Sequence, residues 1–162
     1  MTGVFGGGGA FEGALIHVRH EVAFGGQGGS LSSGGWRTRP LNVEKTNKVA
    51  GASLAASRLT LPAGQYFAVG NQRVRRVNGV KGRLYDITGA AELVLGDTTY
   101  PNAAVDACPS IHLNGAFSLA VASEVEFQVY CETTYATTGM GVGFAAPAVN
   151  NVFADLMVWK VG

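Results

Sequence analysis

LTLPAGQYFAV, residues 59–69, decides how the chain is read. Leu59 and Leu61 sit two apart before a break, and Tyr66 and Ala68 two apart after it. That is the period of strands that bury one face. At the break, Pro62 fixes φ and removes a backbone donor, and Gly64 is free to take a positive φ. The stretch predicts strand, tight turn, strand, with Tyr66 and Phe67 packing on opposite faces. Most of the chain beyond Val69 repeats that pattern.

Upstream, residues 14–24 (ALIHVRHEVAF) alternate well: Ile16, Val18, His20, Val22 and Phe24 share one face, His17, Arg19 and Glu21 the other. GGQGGSLSSGG (25–35) has no periodicity and predicts a flexible surface loop. In WRTRPLN (36–42), Trp36 and Thr38 share a face, and Pro40 restricts the segment to an edge or terminal strand. Residues 43–58 read as a polar-to-small connection. Downstream, 70–79 is polar and turn-rich. Residues 80–88 form a strand whose inward face is ambiguous, 91–96 a short strand and 98–109 a loop. Residues 111–121 alternate, and 124–132 alternate best: Val125, Phe127, Val129 and Cys131 against Glu124, Glu126, Gln128, Tyr130 and Glu132. Residues 139–144 read as a strand or bulged edge. VFADLMVWKV (152–161) is apolar on both faces, as in a central strand covered on both sides. Roughly ten short strands without a capped amphipathic helix predict an all-β sandwich or barrel.

The 162 residues fit one domain. Charged residues are 14% of the chain, against about 25% in an average soluble domain, which suits a surface hidden in an assembly. A net charge of +1 gives no basic field for nucleic acid. No apolar run reaches the roughly 18–20 residues of a membrane span. MTGVFGGGGAFEG lacks the pattern of a signal peptide, which predicts assembly in a cytoplasm. A hairpin turning at Ala122-Ser123 would set Cys131 opposite Asn114 and Cys108 opposite Thr137, predicting free thiols.

The chemistry-bearing residues mostly favour plain structural roles. His17 and His20 fall on opposite faces of one strand and cannot share a metal. Glu124, Glu126 and Glu132 read as a solvated strand face, not a glycosidase pair. Asp97 and Asp106 lack the spacing of a calcium loop. No catalytic residue, metal or cofactor is expected. Arg73, Arg75 and Arg76, with Lys81 and Arg83, form the one basic concentration, suited to an anionic glycan or a neighbouring subunit. Tyr100, Asn102 and Tyr135 lie in predicted loops; with Arg73 and Arg75 they are the candidate receptor contacts.

Taken in order, GALIHVRHEVAFGGQGG, WRTRPLN, LTLPAGQYFAV, GRLYDIT, NGAFSLA, VEFQVYCET and VFADLMVWKVG resemble a family of phage virion domains. These have the tumour-necrosis-factor-like jelly roll shared by complement globular heads, and occur at tail-fibre tips or as separate small virion proteins. The resemblance covers residues 13–162. It implies a ten-stranded, two-sheet jelly roll forming a homotrimer, with the first and last strands in the sheet facing the trimer axis. The expected trimer core is Ile16, Val18, Phe117, Leu156 and Trp159. Residues 1–13 would be a glycine-rich arm docking on other virion proteins through Val4, Phe5 and Phe11, and 14–162 the jelly roll. Related fibre proteins carry a long stalk where this sequence has only the short arm. The implied function is non-enzymatic: a fibre tip or spike that binds a host receptor or glycan. A capsid decoration or head-fibre protein is the alternative, and a soluble carbohydrate-binding module the alternative of another class.

Overall fold

The computed structural model describes residues 13–145 and 149–161. Val4, Phe5 and Phe11 lie outside them. The strands are β1 (Ala14–Val22), β2 (Arg37–Thr38), β3 (Val43–Asn47), β4 (Ser53–Ala55), β5 (Arg58–Leu61) and β6 (Gly64–Arg73). They continue as β7 (Val80–Asp86), β8 (Ala91–Thr99), β9 (Ser110–Leu119), β10 (Ser123–Cys131) and β11 (Asn151–Lys160). One sheet has the order β3-β1-β11-β6-β9; the other runs β4-β5-β10-β7-β8, with β2 added beside β10. The result is an all-β sandwich of two sheets.

Residues 59–69 are two strands, but they do not form a hairpin. β5 pairs with β4 and β10 in one sheet, and β6 with β11 and β9 in the other. Pro62 and Ala63 therefore carry the chain across the core. Tyr66 fastens this corner: its hydroxyl donates to the Pro62 carbonyl at 2.6 Å, and its fully buried ring stacks on Phe117 with centroids 5.3 Å apart. Phe67 points the other way and is 37% exposed. The link at 120–122 also changes sheets, since β9 pairs with β6 and β10 with β5 and β7. The hairpin placing Cys131 opposite Asn114 does not occur; both cysteines are free, Cys131 buried and Cys108 partly so.

Three further segments depart from the sequence reading. Residues 43–58 contain β3, β4 and the start of β5, with a β4–β5 hairpin turning on Ala56 and Ser57 at φ 48° and 65°. These short edge strands are largely exposed, so they show no alternation. β6 runs on to Arg73, and Val74 and Val77 beyond it are fully buried. Residues 139–144 form no strand.

The space between the sheets is filled by Ile16, Val18, Leu59, Leu61, Tyr66, Leu84, Phe127 and Leu156, with Phe117 beside them. This corrects the expected trimer core. Ile16, Val18 and Leu156 are wholly buried and Phe117 is 8% exposed, all inside one chain, where they cannot meet a partner. The cleanest apolar face of a sandwich strand belongs to its own core, so an interface must use the other face. Of the five, only Trp159 lies on that other face.

β1 begins opposite the end of β11, Ala14 against Lys160. Following the registers, β1, β6, β8 and β10 end, and β7, β9 and β11 begin, at the far end of the sandwich, where the longer connections leave and enter the sheets. Short connections occupy the end with the chain termini.

Candidate functional site

Three surfaces stand out, beginning with the outward face of the five-stranded sheet. Its registers align Leu15, Trp159, Phe67 and Ala116 in one row across four strands. The next row is His17, Met157, Val69 and Asn114, and the third Arg19, Asp155, Asn71 and His112. The half of this face nearer the termini thus carries one apolar row with Met157 and Val69 beside it, bordered by the polar side chains of His17, Asn114, Gln65 and Ser118. Beyond it, Asp155 accepts from Arg19 Nε at 2.6 Å and meets His17 Nε2 at 2.8 Å. Lys45 and Arg19 flank Glu21 at 3.2 and 3.6 Å. An apolar patch rimmed by fixed charges is how association surfaces are built.

The second surface is the far end, which is more rigid than its glycine content predicts. Backbone hydrogen bonds join Gly25 to Phe144, Gly28 to Gly141, Gly29 to Thr137 and Met140, and Leu31 to Tyr135. A Cβ at Gly28 would collide with the Met140 carbonyl, so glycine there permits backbone-to-backbone contact. The predicted flexible loop is one side of a zipped pair. Beneath it lies Arg39, 0% exposed, whose guanidinium donates to the carbonyls of Arg73 (2.9 Å), Met140 (2.6 Å) and Phe153 (2.7 Å). Burial pushes its pKa down to about 9, which leaves it protonated at neutral pH.

Most of the predicted receptor contacts are consumed within this end. Arg75 and Arg76 stack on the Tyr135 ring at 5.7 and 5.0 Å, and Arg76 donates to its hydroxyl at 3.1 Å. Arg75 also donates to Asp106 at 2.6 Å and to Thr138 at 2.6 Å. The Asn102 side chain accepts from Ala104 N–H at 2.8 Å, closing its own loop. Tyr100, 63% exposed, and the exposed Arg73 remain outward. Arg73 and Arg75 do not share a strand face, because β6 ends between them.

His20, on the core side of β1, is 6% exposed and packs on Phe153 at 5.6 Å. Burial, and then the nearby Arg39 charge, push its pKa down to about 4. The folded chain therefore holds His20 neutral, while the unfolded chain takes up a proton below pH 6.5. Stability is full above that pH and falls as pH drops from 6.5 toward 4, by about 3 kcal/mol in total. Urea titrations at pH 7 and 4.5, at fixed protein concentration, should show this loss in the native chain and a flattened profile in His20→Leu. An unchanged profile in the variant would assign the acid sensitivity elsewhere.

The third surface was missed in the sequence. A cleft of about 420 Å³ opens on the outer face of the six-stranded sheet, lined by Trp36, Tyr130, Lys81, Thr98, Glu132 and Gly79. The Trp36 and Tyr130 rings lie 5.8 Å apart, tilted by 57°. Arg83 sits between Trp36 and Tyr85, its guanidinium 4.0 and 4.1 Å from the two ring centres, and donates to Gln128 Oε1 at 2.8 Å. Glu132 Oε2 accepts from Gly79 N–H at 3.0 Å. The residues come from β7, β8 and β10, from the positions just before β7 and just after β10, and from the loop before β2, so only their alternation on separate strands foreshadowed the site.

Glu126 is tied into the sheet and is not part of a solvated strand face. It is 4% exposed and accepts from Arg58 Nε (2.8 Å), Thr38 Oγ1 (2.7 Å) and Gln128 Nε2 (2.7 Å). Burial raises its pKa, but the hydrogen bonds from Gln128, Thr38 and Arg58 outweigh that and hold it below the ordinary value. Among the described residues, no three His, Cys, Asp or Glu side chains converge as metal ligands.

No protein-family model matches the sequence, and no curated protein matches it. Solved structures do. Murine APRIL at pH 5.0 superposes with a TM-score of 0.59 at 11% identity, covering 92% of this chain and 99% of that one. Murine APRIL at pH 8.5 gives 0.58 at 10% identity with the same coverage. The globular domain of zebrafish complement 1qA gives 0.55 at 11% identity, covering 93% and 98%. What the chain shares with them is a fold: the all-β, two-sheet, tumour-necrosis-factor-like jelly roll.

Proposed function

We propose that the chain is a non-enzymatic, homotrimeric display head of a phage virion, anchored at its terminal end and presenting its far end to the host. The observation that carries the trimer is the row Leu15, Trp159, Phe67 and Ala116 with Met157 and Val69 beside it, an apolar surface that one chain leaves only half covered. A chain with so little charge gains solubility by hiding it. The virion setting rests on the ordered sequence resemblance. The orientation draws support from the strand directions, since an arm entering at Ala14 leaves the sandwich at the end away from the long loops.

A host-binding tip or spike is preferred to a head decoration protein, because the zipped loops and the aromatic cleft give a rigid surface for a ligand. Purified protein added to host cells should then block phage adsorption. A decoration protein would leave adsorption untouched, and that result would sink the tip assignment. The aromatic cleft also keeps a soluble carbohydrate-binding module in view as a second reading. Deleting residues 1–12 separates the two: a virion part still trimerises but fails to enter particles, whereas a free lectin loses nothing.

A further inference from the structure

We propose that the cleft between Trp36 and Tyr130 binds an uncharged pyranose of a host surface glycan. The inference rests on the reading of the chain as a displayed adhesion domain, and gives that reading a site and a ligand class. It moves recognition away from the far-end loops, where Tyr135, Arg75 and Asn102 are already engaged.

Four observations converge on the ligand. First, the cleft volume of about 420 Å³ is within the range of small-molecule sites. Second, two aromatic rings line it, and a pyranose carries an apolar C–H face with hydroxyls around its rim. Stacking that face on a ring removes apolar surface from water while the hydroxyls stay free to hydrogen-bond. Third, the polar groups sit where such hydroxyls fall. Glu132 has one oxygen fixed by Gly79 N–H, which leaves Oε1 open as an acceptor, and Lys81 and Thr98 supply donors from the neighbouring strands. Fourth, the charges balance: Lys81 faces Glu132 in the lining, and Arg83 behind the indole is paired with Glu92 at 3.7 Å, so no excess of one sign selects an ion.

The site is also prepared in advance. Arg83, clasped between Trp36 and Tyr85 and held by Gln128, fixes the indole before any ligand arrives. Little side-chain entropy then remains to be lost on binding. The cleft is on the six-stranded sheet, and the proposed trimer interface on the five-stranded one. Three copies would stay open in a trimer, and their joint attachment to one cell would greatly exceed the affinity of each.

The test is saturation-transfer NMR with lactose, maltose, cellobiose and methyl α-mannoside at millimolar concentration. Transfer to the ring C–H protons of at least one sugar is expected, weakened ~10-fold or more by Trp36→Ala. Because Trp36→Ala removes a half-buried ring, Thr98→Trp serves as the second variant: it fills the cleft from an exposed β8 position and should abolish transfer with the fold intact. No transfer from any sugar, transfer surviving Thr98→Trp, or tighter binding of sialyllactose than of lactose would overturn the site. The cleft is built within one chain, so the measurement is independent of assembly. A monomer that binds sugar keeps this proposal while removing the trimer, and a trimer that binds none does the reverse.

Discussion

Phe67→Asp should convert the proposed trimer into a folded monomer. Phe67 is 37% exposed in one chain and sits between Trp159 and Ala116 on the outward face. Closing three copies on that face would bury three carboxylates against apolar side chains, each costing several kcal/mol. The sandwich itself loses little, since Phe67 is outside the core. Sedimentation at micromolar concentration should give about one third of the native mass with an unchanged far-UV spectrum. Leu95→Asp, on the other sheet and 54% exposed, should leave the trimer whole. If Phe67→Asp stays trimeric, the outward face of the five-stranded sheet is not the interface.

Arg39→Met should cost about 3 kcal/mol and lower the melting temperature by about 9 °C. Two effects oppose each other. Methionine relieves the burial of a cation, but it takes the guanidinium donor from the carbonyls of Arg73, Met140 and Phe153 in a largely buried site. Each orphaned acceptor costs about 1–3 kcal/mol, so three outweigh the relief of one desolvated charge. The damage should be local as well as global. Amide exchange across 135–144 should accelerate more than across β6 or β11. Arg39→Lys should recover only part of the loss, because an ammonium lacks the fork that reaches all three carbonyls. Melting and exchange unchanged in Arg39→Met would show that the far end is held by its backbone ladder alone.

The strands with one buried face were legible. Residues 14–22, 59–61 and 64–69 alternate because one face of each meets the core; 123–131 alternate in residue type, although Glu126 and Gln128 on the other face are buried too. Sheet assignment was not, since alternation is the same whether a turn closes a hairpin or carries the chain across the sandwich. That ambiguity misplaced Pro62-Ala63 and residues 120–122. The exposed edge strands β3 and β4 gave no pattern, for want of a buried face. The same one-sided logic misdirected the interface residues: Ile16, Val18, Phe117 and Leu156 have the strongest pattern because they fill the chain's own interior.

Glycine misled in the other direction. GGQGGSLSSGG looked flexible because glycine is costly to order, yet there it allows a backbone to lie directly on a backbone. Buried Arg39 could not be recognised, since its partners are carbonyls, and any residue supplies a carbonyl. The cleft was hidden for a simpler reason. Trp36, Lys81, Thr98 and Tyr130 are unremarkable singly, and only the strand order brings them to one place.

The pairing of Ala14 with Lys160 sets how the domain answers mechanical force. Tension applied between the two chain ends would peel β1 from β11, breaking hydrogen bonds one after another. Tension between the N-terminal anchor and the far end runs instead along β1, so its bonds to β11 and β3 are sheared together. A domain held at Ala14 and pulled from the opposite end, as the proposed display role would require, is loaded in its strong direction. Optical-trap pulling from residue 1 against a handle at Ala104 should therefore need more force than pulling on the two termini. Equal rupture forces would mean that another element yields first.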